Sequence, residues 1–239
     1  AEAYGDHHWS KSSFYEEMNL PVSATTLGVG TASSQVLDYF GLASRDELPK
    51  FETIVEEINE EYVDNLIDDL KRRDFTMNTL CMSKEGNIID VLGGGEDIEN
   101  KIVRCVGDIN ERINEDPLRM LRAVRFATTL GFTIEEELYR KLKENKELIS
   151  QLSRERIKEE LTKILINKNA IMGLNMLEDL GFLPYVGIRY SRDIVNVADI
   201  CGMYSQLELL EEFPFSKEEK DNIKAIQNIL EYGKIDNNV

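Results

Sequence analysis

No stretch of this chain is apolar for long enough to cross a bilayer as a helix, which takes about twenty residues. Nor does a basic segment followed by an apolar one stand at its start, where Ala1-Glu2-Ala3 carries neither half of a secretory signal. A membrane-spanning protein and an exported one are therefore not expected. The chain opens on Ala1 rather than Met, which points to a trimmed chain with sequence missing upstream. Cysteine is scarce: Cys81, Cys105 and Cys201 are scattered, odd in number and form no Cys-x-x-Cys pair, which argues for reduced thiols in the cytoplasm and against zinc. His7 and His8 are adjacent, and neighbouring side chains on a strand point to opposite faces, so an exposed terminus or turn is expected there rather than a metal site. Gly28-Val29-Gly30 lacks the third glycine and the downstream acid of a dinucleotide site, and no Lys-Ser/Thr pair follows it as in a phosphate loop. Residues 21–34 are accordingly read as a flexible loop. Internal repeats and low-complexity tracts are absent. Positive charge is also short, since 28 Lys and Arg stand against 45 Asp and Glu for a net charge of −17. Such a surface repels a polyanion as a whole. A local basic face is still effective, because exposed charges are screened beyond about 8–10 Å at cellular salt. Lys71-Arg72-Arg73 and Arg119, Arg122 and Arg125 are the candidates for that face.

What is present is a core-forming chain of 239 residues, enough for one or two domains. Its most informative stretch runs from Glu115 to Phe126. Pro117 suits the first turn of a helix, where its missing N–H is not needed, and Asp116 or Asn114 is suited to cap it. Leu118, Leu121 and Val124 to Phe126 supply an apolar stripe. Asp116, Arg119, Arg122 and Arg125 recur every three residues along a drifting second face. A carboxylate accepts from an exocyclic amine such as N4 of cytosine, and a guanidinium fork donates to ring or carbonyl acceptors and to phosphate. A helix bearing both reads a base edge and holds charged oxygens at once; an N-capped helix with solvated arginines is the plainer reading of the same pattern.

Around that stretch the periodicity predicts a small α/β unit up to about residue 104, then helices. Residues 60–70 read as a helix or strand-to-helix junction. Apolar runs at 77–82 and 87–92 flank a hairpin turn at 84–87. Gly93-Gly94-Gly95 reads as a loop, and 102–106 as a further short apolar run. Beyond Pro117, Gly131 closes the first helix and Thr133 starts the next. Further helices are expected from Ser153 to about 166, and over 170–180, 194–213 and 217–232, the last opened by a capping box at Ser216-Lys217-Glu218-Glu219.

A second stretch, Asp69-Leu70-Lys71-Arg72-Arg73-Asp74-Phe75-Thr76-Met77-Asn78, combines with the first and with Glu155-Arg156-Ile157. In order and spacing the three resemble the class II nucleotidyltransferases, the CCA-adding tRNA enzymes and bacterial poly(A) polymerases. That family's pattern is Arg-Arg-Asp-Phe-Thr-x-Asn, then Glu-Asp-x-x-Arg-x-x-Arg, then a Glu-Arg-Ile segment. The resemblance covers about Leu66 to Val186. It implies an α+β fold: a small N-terminal α/β nucleotidyltransferase-like head (1–104, with 1–65 atypical), a helical neck carrying the nucleotide-recognition helix (105–166) and a helical body (167–239). It further implies that Asp74 contacts the ribose 2′-OH and that Arg72, Arg73 and Asn78 shape the nucleotide pocket. Asp116 and Arg119 are implied to read the incoming base, Arg122 to support the nucleotide or its phosphates, and Glu155 and Arg156 to brace the pocket helix. The physics agrees, because ribose recognition needs a carboxylate acceptor and base reading a mixed donor–acceptor pair.

The activity so implied is template-independent addition of CMP or AMP, from CTP or ATP, to the 3′ end of tRNA or another RNA, with two Mg²⁺ ions. One departure bears on it. Gly41-Leu42-Ala43-Ser44-Arg45-Asp46-Glu47-Leu48 echoes the family's Gly-Gly-x-x-Arg-Asp-x-Leu element, with Leu42 where the second glycine belongs. The Asp-x-Asp pair that should follow is absent. Glu52, Glu56 and Glu57 are the candidate substitutes for those metal-binding, catalytic carboxylates. The alternative function is a non-catalytic nucleotide- or RNA-binding remnant or fragment of such an enzyme.

Overall fold

The computed structural model describes residues 24–26, 60–83, 88–191, 193–210 and 212–236. The fold is α+β, and the chain divides into two compact units, 1–108 and 109–239. The expectations for His7, His8, Gly28 to Gly30, Gly41 to Leu48, Glu52, Glu56, Glu57 and the turn at 84–87 lie outside the described residues.

In the first unit, helix α1 (Glu60–Lys71) places Leu66 and Leu70 one turn apart. Both are buried against Cys81 and Ile89 of the sheet, with Val91 and Leu92 packed beside them. Three strands, β1 (Ala24–Thr26), β2 (Cys81–Ser83) and β3 (Ile88–Ile89), pair antiparallel in that order. Thr25 lies opposite Met82, and Cys81 opposite Ile89. The hairpin pairing of β2 and β3 is the one expected. The loop expected over 21–34 is corrected at Ala24–Thr26, where two β-branched threonines extend the sheet by a strand.

The three glycines at 93–95 are a second correction. Gly94 and Gly95 begin a short helix, α2 (Gly94–Glu99). The cause is Asp90, whose carboxylate accepts from the Gly94 N–H at 2.9 Å and the Gly95 N–H at 2.8 Å. Orphan donors at a helix start are thereby satisfied. A Cβ on Gly94 would lie 2.2 Å from the Thr76 carbonyl oxygen, so close backbone approach requires glycine there. Strand β4 (Ile102–Val103) follows, and Phe75 makes an antiparallel bridge to Cys105.

The second unit is helical: α3 (Ile109–Glu115), α4 (Leu118–Leu130), α5 (Glu136–Glu144), α6 (Arg154–Leu165), α7 (Ala170–Asp179), the short α8 (Leu183–Val186) and α9 (Ile200–Ser205), and α10 (Lys217–Asp236). Helices α4, α6 and α7 pack on one another around Leu121, Val124, Ile157, Leu161, Leu174 and Leu177, all buried. Full burial of each such side chain contributes about 1.5–3 kcal/mol. Ser153 caps α6 through its bond from the Arg156 N–H, and the predicted capping box at Ser216 is reciprocal with Glu219. Gly131, at φ +67°, ends α4.

Two helix boundaries differ from expectation. Thr133–Ile134 is a short extended segment, β5, and α5 starts only at Glu136, because two consecutive β-branched residues favour extended backbone. The helix expected over 194–213 is mostly absent. Leu207–Leu209 (β7) instead pairs antiparallel with Ile188–Tyr190 (β6), burying Ile188 and Leu207, and only α9 is helical between them. Among the described residues no helix is long and apolar enough to cross a membrane.

Candidate functional site

In the first unit, the segment from Asp69 to Asn78 is held by its own charges. Asp69 accepts from Arg72 at 2.5 Å and from Arg73 at 3.0 Å. Arg73 also donates to the Asn78 carbonyl at 2.9 Å, and its side chain is only 10% exposed. Arg73 is thus a strut across the turn between α1 and Asn78, whereas the Arg72 side chain is 69% exposed. Asn78 is buried, and Asp74 is half-buried, with its carbonyl accepting from the Val106 N–H at 3.1 Å. Behind this turn, buried Asp97 accepts from the Thr76 hydroxyl at 2.6 Å and from Arg104 at 3.0 Å. A buried carboxylate persists only when paired and hydrogen-bonded in this way. Sequence pattern assigned no role to Asp90 or Asp97; an acid four residues before a glycine pair is the available signal for the first.

In the second unit, Asp116 stands between α3 and α4. One oxygen accepts from the Leu118 N–H at 3.1 Å, as an N-terminal cap does, and the other accepts from Arg156 of α6 at 2.9 Å. Partial burial raises the Asp116 carboxyl pKa; the hydrogen bonds from Arg156 and the Leu118 N–H, with the charges of Arg156 and Arg119, outweigh that and hold it below the usual carboxylate range. One turn on, Arg119 uses a single terminal nitrogen for two acceptors, the Arg112 carbonyl at 2.6 Å and the Glu115 carboxylate at 2.8 Å. Arg122 is half-buried, its guanidinium 5.7 Å from the Phe126 ring centre. Arg156 and Glu155 sit in the first turn of α6 and are exposed.

Arg125 leaves the face its spacing suggested. It turns inward to Glu160 at 2.6 Å and lies 3.9 Å over the Phe126 ring, with its side chain 12% exposed and that of Glu160 3%. Each three-residue step falls about 60° short of a full turn, so Arg125 ends about half a turn from Asp116. Neither a row of four on one face nor a set of solvated arginines describes this helix. Glu160 also takes Lys163 at 3.1 Å. Its burial was not legible in the sequence, since Glu159 and Glu160 stand side by side and only the packing of α6 on α4 separates them.

Among the described residues no three His, Cys, Asp or Glu side chains gather as a metal site. The described residues therefore do not fit a metal pair, and the carboxylates expected to hold one lie outside them.

The head segment of the first unit and the acid–arginine start of α4 in the second each fall beside or within regions that match known proteins. A profile described as "Poly A polymerase head domain" matches residues 30–104, and one described as "Probable RNA and SrmB- binding site of polymerase A" matches residues 131–187. The chain is 41% identical over 155 residues to a CCA-adding enzyme of Lactobacillus helveticus (strain DPC 4571), covering 65% of this chain and 36% of that protein. It resembles the crystal structure of the Bacillus stearothermophilus CCA-adding enzyme in complex with CTP at 42% identity and a TM-score of 0.50, covering 51% of this chain and 31% of that one. A structure of a CCA-adding enzyme with ATP aligns over 90% of this chain and 63% of its own at a TM-score of 0.59 and 19% identity, a likeness of fold alone. Over these two stretches the chain is similar to poly(A) polymerases and CCA-adding enzymes. It spans about a third of the length of the curated relatives it matches.

Proposed function

We propose that this chain is the nucleotide-selecting part of a template-independent RNA nucleotidyltransferase that adds CMP or AMP, from CTP or ATP, to the 3′ end of tRNA. The observation that supports this reading is the pair Asp116 and Arg119 at the start of α4, each fixed in place by the protein: Asp116 by Arg156 and the Leu118 N–H, and Arg119 by Arg112 and Glu115. An acceptor and a donor fork held one turn apart match the mixed edge of a cytosine or adenine, without a template strand. In this reading Asp116 accepts from the exocyclic amine and Arg119 donates to the ring nitrogen or carbonyl. Arg122 supports the nucleotide or its phosphates, and Glu155 and Arg156 brace the helix. In the first unit Asp74 takes the ribose 2′-OH, while Arg72, Arg73 and Asn78 shape the pocket wall. The division into head (1–104), neck (105–166) and body (167–239) belongs to the same proposal.

The transfer so proposed joins the RNA 3′-oxygen to the α-phosphorus and breaks the α–β anhydride, releasing pyrophosphate. Family resemblance adds Mg²⁺ to this chemistry; the described residues offer it no ligand set, so the role argued for this chain is selection of the nucleotide. Three free thiols suit a reducing, cytoplasmic setting. The test is a turnover assay with a tRNA lacking its 3′ end, labelled CTP and ATP, and Mg²⁺, beside equilibrium binding of the same nucleotides. Incorporation lost on Asp116→Ala supports the proposal in full. Binding of CTP or ATP without incorporation supports selection alone, as in a remnant of such an enzyme. Absence of both overturns it.

A further inference from the structure

We propose that Arg112 is the residue that orients Arg119 and thereby sets the choice of base, an inference that rests on the reading of Arg119 as a base reader. Arg112 lies in α3, outside the stretch that matches the family pattern. Its carbonyl accepts from Arg119 at 2.6 Å. Its guanidinium donates to Glu115 Oε2 at 2.5 Å, and that same oxygen accepts from Arg119 at 2.8 Å. Arg119 is therefore held at two points. Arg112 supplies one of them and anchors the other.

The exposures explain why the anchor matters. The side chains of Arg112 and Arg119 are 11% and 15% exposed, but that of Glu115 is 53% exposed. A wet carboxylate on a flexible stem is a poor positioning device by itself, because solvent screening and side-chain entropy offset the ion pair. A second, enclosed cation on the same oxygen removes that freedom. The hydrogen bond from Arg119, together with the charges of Arg112 and Arg119, holds the Glu115 carboxyl below its usual range. A guanidinium is planar, and both hydrogens of the pinned nitrogen have acceptors inside the protein. The fork cannot turn about its Cζ without giving up both bonds. A loosened Arg119 keeps its charge and its attraction for phosphate, yet no longer offers its donors at one angle to a base edge. Replacing the Arg112 side chain keeps its carbonyl but removes the anchor on Glu115, and is thus expected to damage discrimination more than affinity.

The experiment is arginine side-chain NMR on the full chain, with CTP and UTP titrations, on Arg112→Met, Arg112→Lys and Glu115→Gln. Glu115→Gln serves if Arg112→Met does not fold, since the exposed Glu115 side chain tolerates replacement. Rotation of the Arg119 guanidinium about its Nε–Cζ bond should speed up about tenfold in Arg112→Met and in Glu115→Gln, and Arg112→Lys should retain most of the restraint. The preference for CTP over UTP should fall about tenfold in the loosened variants, while the combined affinity changes about twofold or less. Unchanged Arg119 rotation in both variants overturns the proposal, as does a mobilised Arg119 with an unchanged CTP-to-UTP ratio. If the unvaried chain binds no nucleotide, the functional reading falls and takes the base-choice role with it. That outcome is told apart from the others because the rotation rate needs no nucleotide.

Discussion

Asp116 and Arg156, forty positions apart, meet in a 2.9 Å ion pair that joins the start of α4 to the first turn of α6. The acid is 33% and the arginine 46% exposed, so water screens the pair. Its stabilising contribution is then about 1 kcal/mol or less. Its larger consequence is geometric: one carboxylate oxygen is committed to Arg156 and the other faces the Leu118 N–H.

Arg156→Ala should therefore lower stability by about 1 kcal/mol or less but alter the acid limb of the stability profile. The folded Asp116 carboxyl lies below its unfolded value. Its contribution is fully present above the ordinary Asp range and is lost as the pH falls from there through the lowered folded value. Denaturant titrations between pH 6 and pH 2 should show the unvaried chain losing more stability over that window than Arg156→Ala. Equal losses would show that Arg156 does not hold Asp116 in solution.

Arg119→Ala should abolish preference among nucleotides while leaving the fold nearly intact. The variant gives up hydrogen bonds to one carbonyl and one half-exposed carboxylate, together about 1 kcal/mol. Binding isotherms for CTP, UTP, ATP and GTP on the variant should converge within about threefold. A variant that still discriminates removes Arg119 from the base-reading role.

Glu160→Ala should be the costly change in the second unit. It removes the buried carboxylate that accepts from Arg125, 12% exposed, at 2.6 Å. Removing one member of a buried pair costs about 3–5 kcal/mol, or about 6–20 °C in melting temperature for a chain this size. The double variant Arg125→Met/Glu160→Leu should recover most of that, because it buries no orphan charge. If the double variant is as unstable as the single one, packing rather than charge explains the loss.

Gly94→Ala should disturb the first unit, since the added methyl would stand 2.2 Å from the Thr76 carbonyl oxygen and 2.9 Å from Leu80. Separating those backbones costs about 1–3 kcal/mol or more. The shift falls on the turn that carries Asp74 and Asn78, so amide exchange there should accelerate. Gly107→Ala, where nothing lies within 4 Å, is the control for the strain of its φ of +74° without a clash.

Much of the architecture was legible because it is local. The i, i+4 pair Leu66 and Leu70, the caps Ser153 and Ser216, and the one-turn separation of Asp116 from Arg119 all follow from helical spacing, which the order of residues encodes directly. The family resemblance was legible for a similar reason: three short segments kept their internal spacing. Local pattern misread Gly93 to Gly95, because the acid that makes them a helix start lies at Asp90, and misread 207–209, because a strand is defined by a partner elsewhere, here 188–190.

The sequence by itself determined which residue types stand one turn apart: an acid and an arginine at the head of α4, two arginines before Asp74, and an apolar stripe behind them. Tertiary structure decided what each charge is tied to. Arg125 pairs with Glu160 and Asp116 with Arg156, across 35 and 40 positions, and Arg119 is turned toward α3. The reason is physical. Helical spacing assigns a side chain to a face, but burial and an ion partner come from whichever element packs against that face, and here α6 supplies them to Asp116 and Arg125 and α3 to Arg119.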